Sequence, residues 1–429
     1  MISEIEFASS NENAALQYKK VADLINYVAQ HSPFYQRHFA KHKITIAAIK
    51  SLADLDRMPV TTKDDLQQAN WDFLCIPKHQ IAEYTSTSGT LGKPVTIALS
   101  KKDVERLAYN EALSFACADG SSNDVYQLML TLDRQFMAGM AYYEGIRKLG
   151  AGMVRVGPGL PASQWETIQR LSPTTLVAVP SFVVKLLEYA QQHGIDPNQT
   201  SVKKIVCIGE SIRQENLQAN VLAQRITTQW HVKLYGTYAS TEMQTAFTEC
   251  SHGAGGHLHP ELLYVELLDE NNKPVGEGET GEVTITTLGV QAMPLLRYKT
   301  GDMAKFHQES CACGRTSLRL GPIVGRKQQM LKLKGTTVYP PALFEILNQQ
   351  LPIIDYVVEA FTNELGTDEV RIFIHATETH QPEVREMLHR SFQSQLRVVP
   401  PLVFTDLAVI EKLNGIGINR KIRKFVDTR

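Results

Sequence analysis

Between residues 125 and 210 the chain alternates between two hydrophobic rhythms. The short apolar runs VYQLMLTL, AGMVRVG, TTLVAVP and KKIVCIG read as buried strands. SQWETIQRL and SFVVKLLEYAQQH lie between them and carry apolar residues at helical spacing. This β-α-β rhythm predicts a mostly parallel sheet flanked by helices. Upstream, LQYKKVADLINYVAQ reads as a helix stopped at the Ser-Pro of HSPFYQRHF. RMPVTTKDDL reads as a turn feeding a helix that Thr62 caps, with Asp64 and Asp65 in the first turn. From 258 to 306 the pattern changes to closely spaced strands, LLYVELLD, GEVTITTL and LLRYKT, with GEGETG as a tight turn. The polar RKQQ at 326–329 leads into a region with the order strand–helix–strand–strand–helix–strand, its helices being PPALFEILNQQL and QPEVREMLHRSF. The fold class expected is α/β. Residues 1–325 would form a large domain with mostly parallel sheets flanked by helices and a strand-rich subdomain, and residues 326–429 a small α+β domain.

Composition narrows the function. A chain of 429 residues, 43% hydrophobic and 21% charged with a formal net charge of −1, is that of a soluble globular enzyme. Near-neutrality gives no electrostatic reason to expect nucleic acid or an anionic membrane as partner. No apolar run approaches the roughly 18–20 residues of a membrane span. The start, MISEIEFASSNENAA, is acidic and polar, unlike a secretory signal. Six cysteines in so long a chain fit a reducing cytoplasm better than a disulfide framework.

Residues 83–100, EYTSTSGTLGKPVTIALS, concentrate small hydroxyl donors beside a lysine. A Walker-type loop does not fit, because only two residues separate Gly89 from Gly92 and Pro94 follows Lys93. The alternation of Val95, Ile97 and Leu99 with polar or small residues marks a following strand. The segment is therefore a loop between two strands. Four further clusters stand out: CIGESI at 207–212, LYGTYASTEMQTAFTEC at 234–250, LLRYKTGD at 295–302 and GPIVGRKQQMLKLKGTTVYP at 321–340. Glycine-rich turns at strand ends of an α/β sheet are where ligands bind.

The stretches PVTTKDDL, STSGTLGKP, GESI, YGTYASTE, YKTGD and GRKQQMLKLKGTTVYP, in this order and spacing, resemble the adenylate-forming enzymes, most closely the phenylacetate–CoA ligase branch. SPFYQRHF and the final RKIRKFVDTR resemble the same branch, so the likeness covers nearly the whole chain. It implies an enzyme that joins a carboxylate to the α-phosphate of ATP, releases pyrophosphate, and passes the acyl group to the thiol of CoA or phosphopantetheine. Thr85, Ser86, Thr87, Ser88 and Thr90 would then supply donors to the phosphates, Gly89 and Gly92 close backbone approach, and Lys93 a charge. Gly209 and Glu210 match the family's adenine-side turn, and Tyr235 with Gly236 its stacking wall. Thr241 and Glu242 match the positions reaching the α-phosphate and Mg²⁺, a cation that favours carboxylate oxygen. Asp302 matches the ribose carboxylate and Arg326 the boundary arginine near ribose and phosphate. Phe136 matches the acyl-pocket side, which suggests an aromatic or otherwise apolar acid. Lys421, aligned on the terminal VDTR, matches the lysine that neutralises charge developing on the reacting groups, with the small domain as a mobile lid. The family's Asp-Asp after the boundary arginine is here Gln328-Gln329, which leaves thiol transfer less secured than adenylation.

Cys250, Cys311 and Cys313 fall in TECSHGAGGHLHPE and ESCACGRT, with His252, His257 and His259 close to the first. Three sulfurs and one imidazole would close a tetrahedral structural zinc site. Relatives in the branch resemble the chain here, and the resemblance selects His257 as fourth ligand, with His252 and His259 open. Cys75, Cys117 and Cys207 are expected in the core. Two rival functions stand beside acid–CoA ligation: an adenylating enzyme that stops there or loads an acyl carrier protein, and a nucleotide-binding assembly partner without turnover. Relatives that pair leave room for a homodimer.

Overall fold

The computed structural model describes residues 3–87, 95–333, 336–363, 368–396, 398–415 and 423–429. The chain forms two compact units, one of residues 1–300 and 304–322, the other of residues 301–303 and 323–429. No helix among the described residues is long and apolar enough to cross a membrane.

The large unit opens with α1 (Ser10–His31), which a capping box between Ser9 and Glu12 starts. Then come α2 (Pro33–Lys41) and α3 (Lys63–Gln68), the latter capped by Thr62 and Asp65 as its sequence predicts. β1 (Ile81–Ser86) and β2 (Thr96–Ser100) pair antiparallel on either side of the hydroxyl-rich loop. A third capping box, Ser100 with Asp103, starts α4 (Lys101–Cys117). The alternating region follows as β3 (Val125–Leu128), α5 (Met137–Leu149), β4 (Gly152–Arg155), α6 (Pro161–Leu171), β5 (Thr175–Ala178), α7 (Pro180–Gln192), β6 (Lys204–Cys207) and α8 (Val221–Gln229). β7 (Lys233–Ser240), β8 (Thr245–Glu249) and β9 (Gly256–His257) continue the sheet. β10 (Leu263–Leu268) and β11 (Gly281–Thr287) pair antiparallel. β12 (Tyr298–Ala304) carries the chain through residues of the second unit, and β13 (Phe306–His307) and β14 (Arg319–Leu320) complete the first.

The main sheet runs β13-β14-β9-β8-β7-β6-β5-β3-β4. Strands β4, β3, β5, β6 and β7 are parallel, and β8, β9, β14 and β13 antiparallel. Alternate residues of the parallel strands enter different cores. Leu176, Ala178, Ile205 and Cys207 join Trp165 and Trp230 on one face, while Val177, Val206, Leu128 and Tyr126 join Phe115 and Tyr142 on the other. Helices on both faces explain why these strands read as unbroken apolar runs.

In the second unit β15 (Gly325–Arg326) pairs with residues 302–303. β16 (Leu331–Leu333) and β17 (Thr336–Val338) form a hairpin, followed by α9 (Pro340–Asn348). β18 (Ile353–Thr362), β19 (Asp368–Ala376), α10 (Gln381–Gln395), β20 (Leu402–Phe404), α11 (Leu407–Asn414) and β21 (Phe425–Asp427) follow. The sheet order is β20-β19-β18-β21. The predicted strand–helix order missed α11 and β21, because an eight-residue helix and a three-residue strand are too short to establish a period.

Candidate functional site

The loops that leave the carboxyl ends of the parallel strands converge. The loop after β3 meets the hydroxyl-rich hairpin, where Ser86 N–H donates to Gln135 O at 2.9 Å. Gln135 and its neighbour Arg134 both hold φ of 57°, an unusual backbone for side chains of this kind. The turn after β6 needs Gly209, whose φ is +75°. Glu210 then reaches back to α7, which follows β5, and caps it: Ser181 N–H and Oγ–H each donate to its carboxylate at 2.9 Å. The described side-chain contacts thus give Glu210 a capping role at the proposed adenine-side turn.

At the base of the hairpin the hydroxyls are occupied within the protein. Thr85 Oγ donates to Ile97 O at 3.0 Å, and Thr87 Oγ accepts from Val95 N–H at 3.1 Å. Ser86 Oγ donates to Thr87 O at 3.2 Å. These bonds brace the loop: the Thr85 hydroxyl hydrogen is used within the hairpin, whereas Thr87 Oγ accepts and keeps its own hydrogen to donate. Ser88, Gly89, Thr90, Gly92 and Lys93 lie outside the described residues, as does Lys421.

Tyr235 requires a correction. It is 1% exposed within the core, and its hydroxyl donates to Asp119 Oδ2 at 2.7 Å. The backbone oxygen of Asp119 accepts from Lys204 Nζ, and Lys204 opens β6, so the ring points toward the amino ends of the strands, away from the convergent loops. The half-buried aromatic toward the carboxyl end of β7 is Tyr238, on the opposite parity and tilted against Phe247 at 6.0 Å. The segment YGTYASTE contains both tyrosines, and strand parity separates them once the neighbours of β7 are known. Thr241 and Glu242 follow in the turn that ends β7, both half-buried, with Ser240 Oγ accepting from Met243 N–H. Phe136 precedes α5, partly buried against the Phe115–Tyr126–Tyr142 core together with Leu132, Ala138 and Val179.

In the second unit, Arg326 Nε donates to Asp302 Oδ1 at 3.0 Å. Gln328 lies in an exposed turn, its carbonyl accepting from the Arg429 guanidinium at 3.1 Å.

The thiol cluster is a closed arrangement in the large unit, three of its four residues being buried. Cys250, His257, Cys311 and Cys313 bring one ligand atom each to within 4.8 Å of one another. Cys250 and Cys311 sulfurs are 3.7 Å apart, and Cys313 Sγ lies 3.5 Å from His257 Nε2. Tetrahedral zinc with Zn–S of about 2.3 Å and Zn–N of about 2.05 Å requires edges of about 3.8 and 3.6 Å. The donor set and spacing therefore fit this metal. Burial, aided by the Arg315 charge, pushes His257 down to about 3, leaving a neutral imidazole at neutral pH. Cys117 packs against the same sulfurs, a neighbour the sequence did not reveal.

The surroundings of the cluster come from distant parts of the chain. Arg315 donates to Cys313 Sγ at 3.6 Å and to Glu6 at 2.7 Å. Glu6 also pairs with His259 Nδ1, whose Nε2 is 3.1 Å from Ser114 Oγ. Burial opposes ionisation of Glu6, but His259 and Arg315 outweigh it and hold the carboxyl below its usual range. Thr316 N–H donates to Glu6 O at 2.9 Å, so the N-terminal segment is tied to the cysteine turn by backbone as well.

Comparisons with known proteins identify the family and the fold. The family model described as AMP-binding enzyme matches residues 22–293. The chain belongs to the AMP-binding enzyme family. Among its relatives, the phenylacetate-coenzyme A ligase of Thermus thermophilus is 28% identical over 390 residues, 89% of this chain and 85% of that protein. The phenylacetate-coenzyme A ligase of Aromatoleum evansii is 28% identical over 404 residues, 92% of this chain and 90% of that one. A crystal structure of 2-hydroxyisobutyryl-CoA ligase in the postadenylation state with R3-HIB-AMP superposes with a TM-score of 0.85 at 22% identity, covering 99% of this chain and 91% of that one. The fold of this AMP-binding enzyme is accordingly that of the adenylate-forming ligases, in the phenylacetate–CoA ligase-like branch.

Proposed function

We propose that this AMP-binding enzyme is an ATP-dependent acid–CoA ligase acting on an aromatic or otherwise apolar carboxylic acid. A carboxylate oxygen attacks the α-phosphorus and pyrophosphate leaves. The thiol of CoA then attacks the acyl carbon, and AMP departs with the former carboxylate oxygen. The observation that carries this reading is likeness to phenylacetate–CoA ligases over about nine-tenths of the chain, on a fold whose hydroxyl hairpin and strand-end turns converge at the carboxyl edge of a parallel sheet.

In this reading the loop between β1 and β2, with Ser88, Gly89, Thr90, Gly92 and Lys93, follows the phosphates, while Thr85, Ser86 and Thr87 fix its base. The Gly209 turn and the Gly236–Tyr238 stretch of β7 border the base, and Thr241 faces the α-phosphate. Glu242 is the residue that would hold Mg²⁺, which offsets phosphate charge when bound. Asp302 and Arg326 serve ribose and phosphate, and Lys421 the charge of the reacting centre. Phe136 borders the acyl group. Cys250, His257, Cys311 and Cys313 hold structural zinc, a closed four-ligand set with no position left for water.

Pyrophosphate release over a panel of aryl and fatty acids, with and without CoA, tests the reading. Release with an apolar acid and thioester formation with CoA is the expected result. Release without thioester would assign the acyl group to a carrier protein or leave it as the adenylate. No release with any acid would overturn the reading.

A further inference from the structure

We propose that Glu249 and Arg213 form a partly buried clamp that positions the strand bordering the nucleotide base, an inference that rests on the nucleotide reading above. β7 is where the sheet changes direction. Along one edge it pairs with β6 in parallel as far as Cys207↔Gly236, and along the other it pairs with β8 antiparallel from Thr237↔Thr248 onward. Gly236 N–H stands where one ladder ends and the next begins. It donates to Glu249 Oε2 at 3.1 Å.

The same carboxylate receives Arg213 through Nε at 3.0 and 3.2 Å and Nη2 at 3.1 Å. Two-point pairing of this sort fixes orientation as well as distance. Glu249 has a side chain 5% exposed, and that of Arg213 is 21% exposed. Arg213 belongs to the segment leaving β6, four residues beyond Gly209. The clamp therefore ties the two chain segments that border the proposed base, the turn after β6 and the strand leading to Tyr238 and Thr241.

Two glycines make the arrangement possible. A Cβ on Gly236 would lie 3.3 Å from Glu249 Cδ and from Ile212 Cγ1, so the bare backbone lets the carboxylate approach without a shift of these neighbours. Gly253, at φ +60°, lies against the guanidinium, where a Cβ would fall 2.2 Å from Arg213 Nη2. The loop that begins at Cys250 thus covers Arg213 from the other side. Removing one partner leaves a charge in a half-closed setting, and the freed backbone of β7 loses its fixed register at the switch from parallel to antiparallel.

Glu249 and Arg213 act here as positioning residues. The test compares Glu249→Gln, which keeps an acceptor for Gly236 N–H but loses the charge, with Glu249→Ala, which loses both. AMP affinity is measured by titration calorimetry, KM for ATP and KM for the acid by pyrophosphate release, and folding by thermal melting. The clamp predicts AMP binding weakened by about tenfold in Glu249→Ala and less in Glu249→Gln, with KM for ATP following and KM for the acid unchanged. AMP affinity within twofold of wild type in both variants would overturn it, as would KM for ATP and acid rising together. Should Glu249→Ala fail to fold, Glu249→Gln, close in shape to the native residue, decides alone: AMP affinity equal to wild type in that variant would overturn the clamp. Wild-type protein that fails to bind AMP would instead sink the nucleotide reading itself, and the clamp with it.

Discussion

The convergent loops and the thiol cluster use similar raw material in opposite ways. Around the cluster, Arg315 donates to Cys313 and is held by Glu6, which also pairs with His259 beside Ser114, and three of the four ligands are buried. At the loop crevice the described side chains brace backbone: Thr85 and Thr87 the hairpin, Glu210 a helix end, Glu249 a strand switch. The side chains proposed to meet substrate, Tyr238, Thr241 and Glu242, stay half-buried. A site for a resident ion can be closed. A site through which nucleotide, acid and thiol must pass has to keep its contact surface open and invest its rigidity behind it.

The contrast can be broken most sharply at Lys421. Lys421→Ala should lower pyrophosphate release by roughly a hundred- to thousandfold while AMP binding by calorimetry changes little. Equal activity would remove the proposed charge stabiliser. On the other side, Cys311→Ser should drop zinc, measured by elemental analysis, from about one equivalent per chain to less than half, and lower the melting temperature by several degrees. Retained stability in a zinc-free variant would show that the closed cluster is not a structural centre.

Glu111, on the helix α4 that also carries Ser114 and Cys117, sharpens the comparison. Burial pushes its carboxyl up to about 7, against the opposing influence of His259 and the Asn110 side chain. The folded state therefore binds a proton that the unfolded state releases between about 4.5 and 7, and the associated stability, full below that window, is lost as pH rises through it. Glu111→Gln should flatten this slope and stabilise the protein by on the order of 2 kcal/mol at pH 8, read by denaturant unfolding across pH. Unchanged slope in the variant would assign the pH dependence elsewhere. The smallest effect is expected at Glu6: Glu6→Gln should speed zinc release to a chelator by about tenfold, because Arg315 loses the partner that aims it at Cys313. Release at the wild-type rate would make the N-terminal tie incidental to the metal.

Local pattern carried the parallel strands, the Thr62 cap, the strand–loop–strand form of residues 83–100 and the grouping of Cys250, Cys311 and Cys313 with a nearby histidine, while the choice of His257 came from the family resemblance. Each depends on spacing within one segment, or on ligand chemistry distinctive enough to survive a gap of some sixty residues. What escaped depends on which face a residue occupies or on contacts remote in sequence. Tyr235 and Tyr238 differ by parity alone, and parity cannot be assigned until the strand's two neighbours are known. Glu6 meets Arg315 across 309 positions, and Glu249 meets Arg213 across 36; no periodicity announces either pair. Cys117 looked like core and is core, yet its neighbours are the cluster sulfurs.

The central claim, that this enzyme activates its acid as an acyl-adenylate, is tested most directly by an oxygen label. An accepted acid carrying ¹⁸O in its carboxylate is converted with ATP and CoA, and the AMP is examined by mass spectrometry. Attack on the α-phosphorus followed by thiol transfer predicts AMP bearing one labelled oxygen, with unlabelled pyrophosphate. Label in orthophosphate with ADP as product, or AMP free of label while thioester accumulates, would contradict the account.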